Sequence, residues 1–358
     1  MKKRALAAVV ASGVVGALAL GVSGLVDISA RSGHWPITYW VLHTAMRRSV
    51  ETHAAHLEAP PLDEPGLVLR GAGHYATGCA PCHGGPGDHE RPIPLSMSPE
   101  SPFLPRRVER WTPEQLFWIV RNGVKFTAMP AWAAPERDDE VWTLVAFLLR
   151  LPQMTRKEYD ALTGLEDFGL EHLEKPLATA LANCARCHGR DGEGRGTGAF
   201  PRLTGQHREY LLAALNSYAH GTRASGIMQP AVAGLDEPTR RALAEHYAEA
   251  GPWRAPRRAV SRGGGDAQRG RAIAHEGVPR RNVPACVHCH GPAAAANNPL
   301  FPRLAGQDEA YLVAQLELWS EGIRGGTAWA VVMNEVARDL EPDEIRDVAA
   351  WFASQPAE

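Results

Sequence analysis

A strong charge of either sign is missing from this sequence. Lys and Arg number 38, Asp and Glu 40, for a formal charge of −2 over 358 residues. The basic footprint of nucleic-acid binding is therefore absent, and no nucleic acid is expected as a partner. Catalytic patterns are missing as well. There is no nucleotide-binding glycine fingerprint, no zinc-protease helix motif and no convincing nucleophile constellation, so the chain does not read as an enzyme in its own right. Cysteine is scarce, at six residues. A chain of this length does not need a dense disulfide framework. At 44% hydrophobic and 22% charged residues, the composition is that of ordinary globular protein.

All six cysteines fall in one repeated pattern. C-x-x-C-H occurs as Cys79-Ala-Pro-Cys82-His83, Cys184-Ala-Arg-Cys187-His188 and Cys286-Val-His-Cys289-His290. This is the attachment signature of c-type haem. The two thiols add to the porphyrin vinyl groups, and the following histidine lies under the iron as its proximal ligand. A structural zinc site combines two such pairs at close range, and an odd number of pairs about a hundred residues apart fits it poorly. A thioredoxin-like redox pair does not require the histidine. The pattern predicts three covalently bound haem c groups. Their spacing predicts three domains of roughly 80–100 residues each.

The single long hydrophobic run is N-terminal. Lys2, Lys3 and Arg4 precede an uncharged stretch from Ala5 to Val26 that Asp27 ends. Its length exceeds a usual signal-peptide core and approaches a membrane span. The reading is a signal-anchor or transmembrane helix over residues 1–28, although small-x-small sites such as Ile28-Ser29-Ala30 leave cleavage open. The leading positive charges keep that end cytoplasmic. The remainder is placed outside, at the inner membrane with its haem domains facing the periplasm. Residues 29–63 read as a membrane-proximal segment, with an aromatic cluster at His34 to Trp40 and a helix from Pro36 to about Glu58.

Domain 1, residues 64–155, has a helical stretch before Cys79. A capped helix starts at Thr112-Pro113, and a closing helix runs from Asp138 to Leu151. Domain 2, residues 170–255, and domain 3, residues 264–356, are a visible repeat. Phe200-Pro201-Arg202-Leu203-Thr204-Gly205-Gln206 matches Phe301-Pro302-Arg303-Leu304-Ala305-Gly306-Gln307. Met228 stands seven residues before Leu235, and Met333 seven before Leu340. A Pro- and Gly-rich stretch from Pro252 to Gly265 reads as the linker between them.

These motifs resemble class I cytochromes c in tandem, and residues 170–356 are similar to the tandem dihaem cytochromes c. The resemblance implies an all-α fold: three tandem class I cytochrome c domains after an N-terminal transmembrane helix. It implies His83, His188 and His290 as proximal ligands and Met129, Met228 and Met333 as distal ones. The carbonyls of Pro201 and Pro302 would accept the proximal imidazole N–H. In domain 1 the matching residue is Pro102, although the Arg-Leu-x-Gly-Gln portion is absent there. Domain 2 lacks the glycine before its haem motif that domain 3 has at Gly270. Met97, 14 residues after His83, is too near to return across the haem. Of the other histidines, His207, His220, His246, His275 and His288 read as surface residues.

His/Met ligation saturates the iron and raises its potential relative to His/His. The expected activity is one-electron transfer between redox protein partners: a donor dehydrogenase or quinol-oxidising complex, and an acceptor oxidase or soluble cytochrome. The alternative is the cytochrome electron-acceptor subunit of a periplasmic dehydrogenase complex. A haem enzyme such as a peroxidase would need an open coordination position, against which the three methionines argue.

Overall fold

The computed structural model describes residues 2–88, 92–164, 168–170, 172–195, 198–251, 264–291 and 298–356. It is helical; among these residues the only β-pairing is an isolated antiparallel bridge between Val278 and Val283. Of the expected linker from Pro252 to Gly265, residues 252–263 lie outside them.

Helix α1 spans Lys2–Val22. Its Arg4–Val22 stretch, 19 residues of mean hydropathy 2.3, is unburied and is long and apolar enough to cross a membrane. Helix α2, Pro36–Ala54, stops short of Glu58. Val50 and Ala54 bury one side of it, and His53 meets the Trp118 ring at 5.5 Å.

Three helical units follow, the third with two hydrophobic clusters among its described residues. In the first unit, helices α3 (Pro65–His74), α4 (Pro113–Asn122) and α5 (Asp138–Arg150) surround Tyr75, Phe117, Leu144, Phe147 and Leu148. A reciprocal capping box between Thr112 and Gln115 starts α4. Three acidic residues in the first turn and Arg150 in the last suit the dipole of α5. Helices α3 and α5 cross where Gly71 leaves no side chain. A Cβ there would overlap the Thr143 carbonyl oxygen and lie 2.8 Å from Phe147 Cβ. The segment between the first two expected domains contains a helix, α6 (Arg156–Thr163). It begins with a Thr155–Glu158 capping box and lays Tyr159 on the first unit's core.

In the second unit, α7 (Lys175–His188) runs without a break through the haem motif. It packs Ala180 and Leu181 against Leu243, Ala244 and Tyr247 of α10 (Glu237–Glu249), with α8 (Arg208–Ala219) and the short α9 (Met228–Val232) between them in sequence. Without a glycine at the crossing, α7 and α10 meet over a smaller contact than the corresponding pairs in the other two units.

The third unit pairs α11 (Ala267–Glu276) with its closing helix α14 (Pro342–Ser354); α12 (Glu309–Ser320) and α13 (Ala330–Arg338) complete it. A Cβ at Gly270 would overlap the Asp347 carbonyl oxygen and lie 3.0 Å from Trp351 Cβ. Between α11 and Cys286 the chain makes the Val278–Val283 bridge, a detour the first two units lack.

Asp347 ties this crossing together. Its carboxylate accepts the Asp266 N–H at 2.6 Å and Arg269 Nε and Nη2 at 2.7 and 3.0 Å. Burial alone would raise its pKa, but these bonds outweigh burial and hold it below the usual carboxylate range. A depressed folded-state pKa adds stability that is present above the unfolded value and lost as pH falls through the folded one. Asp347→Asn should therefore lower the unfolding midpoint of this unit at pH 7, and the difference from wild type should shrink as pH falls below the unfolded-state value of about 3.9. Denaturant titrations at pH 7 and below that value check this.

Candidate haem sites and the contacts between them

Each C-x-x-C-H motif occupies a helical turn, so its two thiols and its histidine lie close together. In the first unit α3 continues as a widened turn through Tyr75–Cys79 into Ala80–His83. The buried Tyr75 hydroxyl donates to the Gly84 carbonyl at 2.6 Å and fixes the end of that turn. The second motif completes α7, and the third lies on the short helix Val287–His290.

The imidazole orientation is the same in all three. Nδ1 of His83 lies 2.9 Å from the Pro102 carbonyl oxygen, that of His188 3.2 Å from Pro201 and that of His290 3.1 Å from Pro302. A carbonyl only accepts, so Nδ1 carries the hydrogen and Nε2 presents its lone pair, as an iron ligand must. Burial lowers the pKa of His188 and His290, which keeps both rings neutral. Pro102 makes its bond although the rest of the Pro-Arg-Leu-x-Gly-Gln motif is missing around it.

The cysteines are not joined in disulfides. Burial pushes Cys79 and Cys184 up to about 12 and Cys187 and Cys286 to about 11, so these thiols stay protonated at neutral pH. That is unlike a thiolate redox pair. Among the described residues no cluster of three His, Cys, Asp or Glu could hold a metal ion. The donor set present, two neighbouring thiols and one oriented neutral imidazole, fits covalent haem.

Met129, Met228 and Met333 are all half-buried. Met129 sits on a loop, its N–H bonded to Thr127 Oγ1 at 3.1 Å and its carbonyl accepting from Val124 N–H at 3.2 Å. Met228 opens α9, and Met333 lies one turn into α13. His220, His275 and His288 are exposed as expected, whereas His207 and His246 are half-buried.

The second and third units join through the matching motif itself. Gln206 Oε1 accepts the Arg303 N–H at 3.0 Å, and its Nε2 donates to the Arg303 carbonyl at 2.7 Å. Gln307 returns the same pair of bonds to Arg202, at 2.9 and 3.0 Å. Arginine side chains repeat the exchange. Arg223 donates to the Tyr311 hydroxyl at 3.2 Å, and Arg324 to the Tyr210 hydroxyl at 3.4 Å. The contact is thus nearly two-fold. Pro201 and Pro302, whose carbonyls orient His188 and His290, are each followed at once by an arginine bonded to the opposite unit.

The first unit touches the second differently. Glu140, on α5, accepts the Ser225 hydroxyl and the Gly226 N–H, each at 2.6 Å. Arg137 donates to the Ala224 carbonyl at 2.7 Å and pairs with Glu140 at 3.1 Å. Burial raises the Glu140 pKa, with Arg137 and the two hydrogen bonds opposing it. Ala224 and Ile227 pack against the first unit's hydrophobic core, and the Trp132 indole lies over Gly226. Gly73 lies against Cys187, whose Sγ would be 2.7 Å from a Cβ placed there. Sequence reasoning passed over this clasp. Its one signal was an acidic residue, Glu140, four positions before Leu144 on the buried stripe of α5.

Residues 66–148 match the family described as cytochrome C oxidase, cbb3-type, subunit III, and residues 177–245 match the cytochrome c family. Among individual proteins, the thiosulfate dehydrogenase electron acceptor of Stutzerimonas stutzeri is 39% identical over 176 residues, covering 49% of this chain and 80% of that protein. Its counterpart in Thiomonas intermedia is 35% identical over 175 residues, 49% of this chain and 79% of that protein. The solved cytochrome c4 of Acidithiobacillus ferrooxidans is 34% identical, covering 48% of this chain and 98% of that one, with a TM-score of 0.42. This chain belongs to the cytochrome c family. It is an electron-transfer protein with tandem cytochrome c domains, which imply covalently bound haem c.

Proposed function

We propose that the chain is a membrane-anchored, periplasmic carrier holding three haem c groups, one in each of the domains 64–155, 170–255 and 264–356. It passes single electrons between respiratory partners. The observation that carries this reading is the threefold recurrence of one arrangement: a C-x-x-C-H turn whose histidine donates Nδ1–H to a proline carbonyl. Bound haem supplies reversible one-electron chemistry at its iron. The chain's part is to hold it by Cys79 and Cys82, Cys184 and Cys187, and Cys286 and Cys289. His83, His188 and His290 would each hold an iron through Nε2, and Met129, Met228 and Met333 would hold the same irons through sulfur. Helix α1 is the anchor, and α2 rests on the first domain beside it.

The names of the relatives favour a more particular version. Two of them are electron acceptors of a thiosulfate dehydrogenase, and the first domain matches an oxidase-associated family. In this version the second and third domains receive electrons from a periplasmic dehydrogenase, and the first passes them to an oxidase near the membrane. Exposed Trp329, Val331 and Val332 beside Met333, and exposed Phe126 beside Met129, give each end an apolar surface on which a redox partner can dock.

Met228→Ala tests the ligand assignment. Removing one of three sulfur ligands should abolish about one third of the Met-to-iron charge-transfer absorption and lower one of three potentials. An unchanged band and unchanged potentials would remove Met228 from the ligand set.

A further inference from the structure

The clasp between the first and second units ends on the segment that carries Met228. Ser225 Oγ donates its hydrogen to Glu140 and accepts the Met228 N–H at 3.0 Å and the Ile227 N–H at 3.3 Å. A continuous chain of hydrogen bonds therefore runs from the Glu140 carboxylate of one unit, through one hydroxyl, to the Met228 backbone of the next. Gly226 N–H to Glu140 and Arg137 to the Ala224 carbonyl hold the two flanking residues. Glu140 is 6% exposed and Ser225 2%. Bonds to a charged acceptor in so dry a setting are among the stronger ones a protein makes. The first turn of α13, before Met333, is different, since Trp329, Val331 and Val332 stand exposed there.

We propose that Glu140 is a positioning residue for the distal ligand of the neighbouring haem. The first unit, through Glu140 and Ser225, holds the Met228 loop closed and so protects one particular iron–sulfur bond. The proposal rests on the reading of Met228 as a ligand. It gives the fused first domain a role in its neighbour's ligation, separate from the haem it carries. It also explains why a carboxylate occupies the apolar stripe of α5, where packing alone would favour an aliphatic residue.

The test uses the full-length ferric holoprotein and imidazole, a small ligand that competes with methionine for the sixth position. In Glu140→Ala, one haem of the three should bind imidazole about tenfold tighter than in the wild type, through loss of charge-assisted bonds to the loop. The other two should not change. Glu140→Gln keeps a neutral acceptor and should recover most of the wild-type affinity. Ser225→Ala leaves the Gly226 and Arg137 bonds in place and should loosen the same haem, so the proposal can still be tested if Glu140→Ala does not fold. Imidazole affinities within twofold of wild type at all three haems in Glu140→Ala and Ser225→Ala would overturn it, even with a lowered melting temperature. Glu140 would then only glue two domains together. Met228→Ala is measured in parallel. If it removes one methionine band while Glu140→Ala and Ser225→Ala alter nothing, the positioning role alone fails. If it removes none, the ligand reading fails and takes the proposal with it.

Discussion

A valine at Gly71 is expected to break the first domain. Helices α3 and α5 approach there until the Gly71 Cα faces the Thr143 carbonyl, and any Cβ would overlap that oxygen and lie 2.8 Å from Phe147 Cβ. Neither neighbour is the flexible end of a side chain. The helices would have to separate, opening the contact between Tyr75 and Phe147, whose rings are 5.0 Å apart in the domain core. Overpacking of this kind costs about 3 kcal/mol or more where backbone must move. A domain this small has little stability to spare. Gly66, on the same helix, has nothing within 4 Å of its would-be Cβ. Gly66→Ala should be neutral or stabilise by up to about 1 kcal/mol. Denaturant unfolding of the two variants separates the cases. Equal midpoints would mean that the crossing at Gly71 is not tight.

The second large effect lies between the second and third domains. Gln206 and Gln307 are each 4% exposed and each satisfies both backbone groups of an arginine in the opposite domain. Truncating both to alanine leaves four backbone groups without these partners, at about 1–3 kcal/mol for each one that water cannot reach. The double variant should lose on the order of 4 kcal/mol across this contact, while each domain keeps its own hydrophobic core. Amide hydrogen exchange at Arg202 and Arg303 reads this directly. Both N–H groups should be protected in the wild type and exchange at least a hundredfold faster in the double variant. Each single variant should release chiefly the arginine that its glutamine held. Protection retained in the double variant would show that the interface is held by other contacts, such as the Arg223–Tyr311 bond.

The sequence made the local parts of this protein legible and left its contacts between domains unread. The C-x-x-C-H turns and the Thr112 cap are short-range features, set within a few residues of chain. The proline carbonyls, 12 to 19 residues from their histidines, were legible only because a family resemblance pointed to them. The Pro-Arg-Leu-x-Gly-Gln repeat was legible as a repeat, but only half of its work was. Its proline faces the histidine of its own domain, while its glutamine faces the other domain, and no periodicity distinguishes the two directions. The lack of that glutamine around Pro102 acquires a reason in the structure: the first domain takes no part in the near-two-fold pair. The Glu140 clasp was illegible for a related cause. It joins residues 85 positions apart, and a carboxylate at the start of a helix is amply explained by the helix dipole alone. The helix at Arg156–Thr163 was passed over because it is short and mostly polar, with Tyr159 as its main anchor in the core.

The central claim is that three separate haems are attached to this one chain. Intact-mass measurement of the purified full-length protein under denaturing conditions, where only covalent groups remain, tests it most directly. The account predicts the polypeptide plus three haem masses, falling to two haems firmly held by paired thioethers when Cys184 and Cys187 are both changed to alanine. A wild-type mass carrying two haems would contradict it.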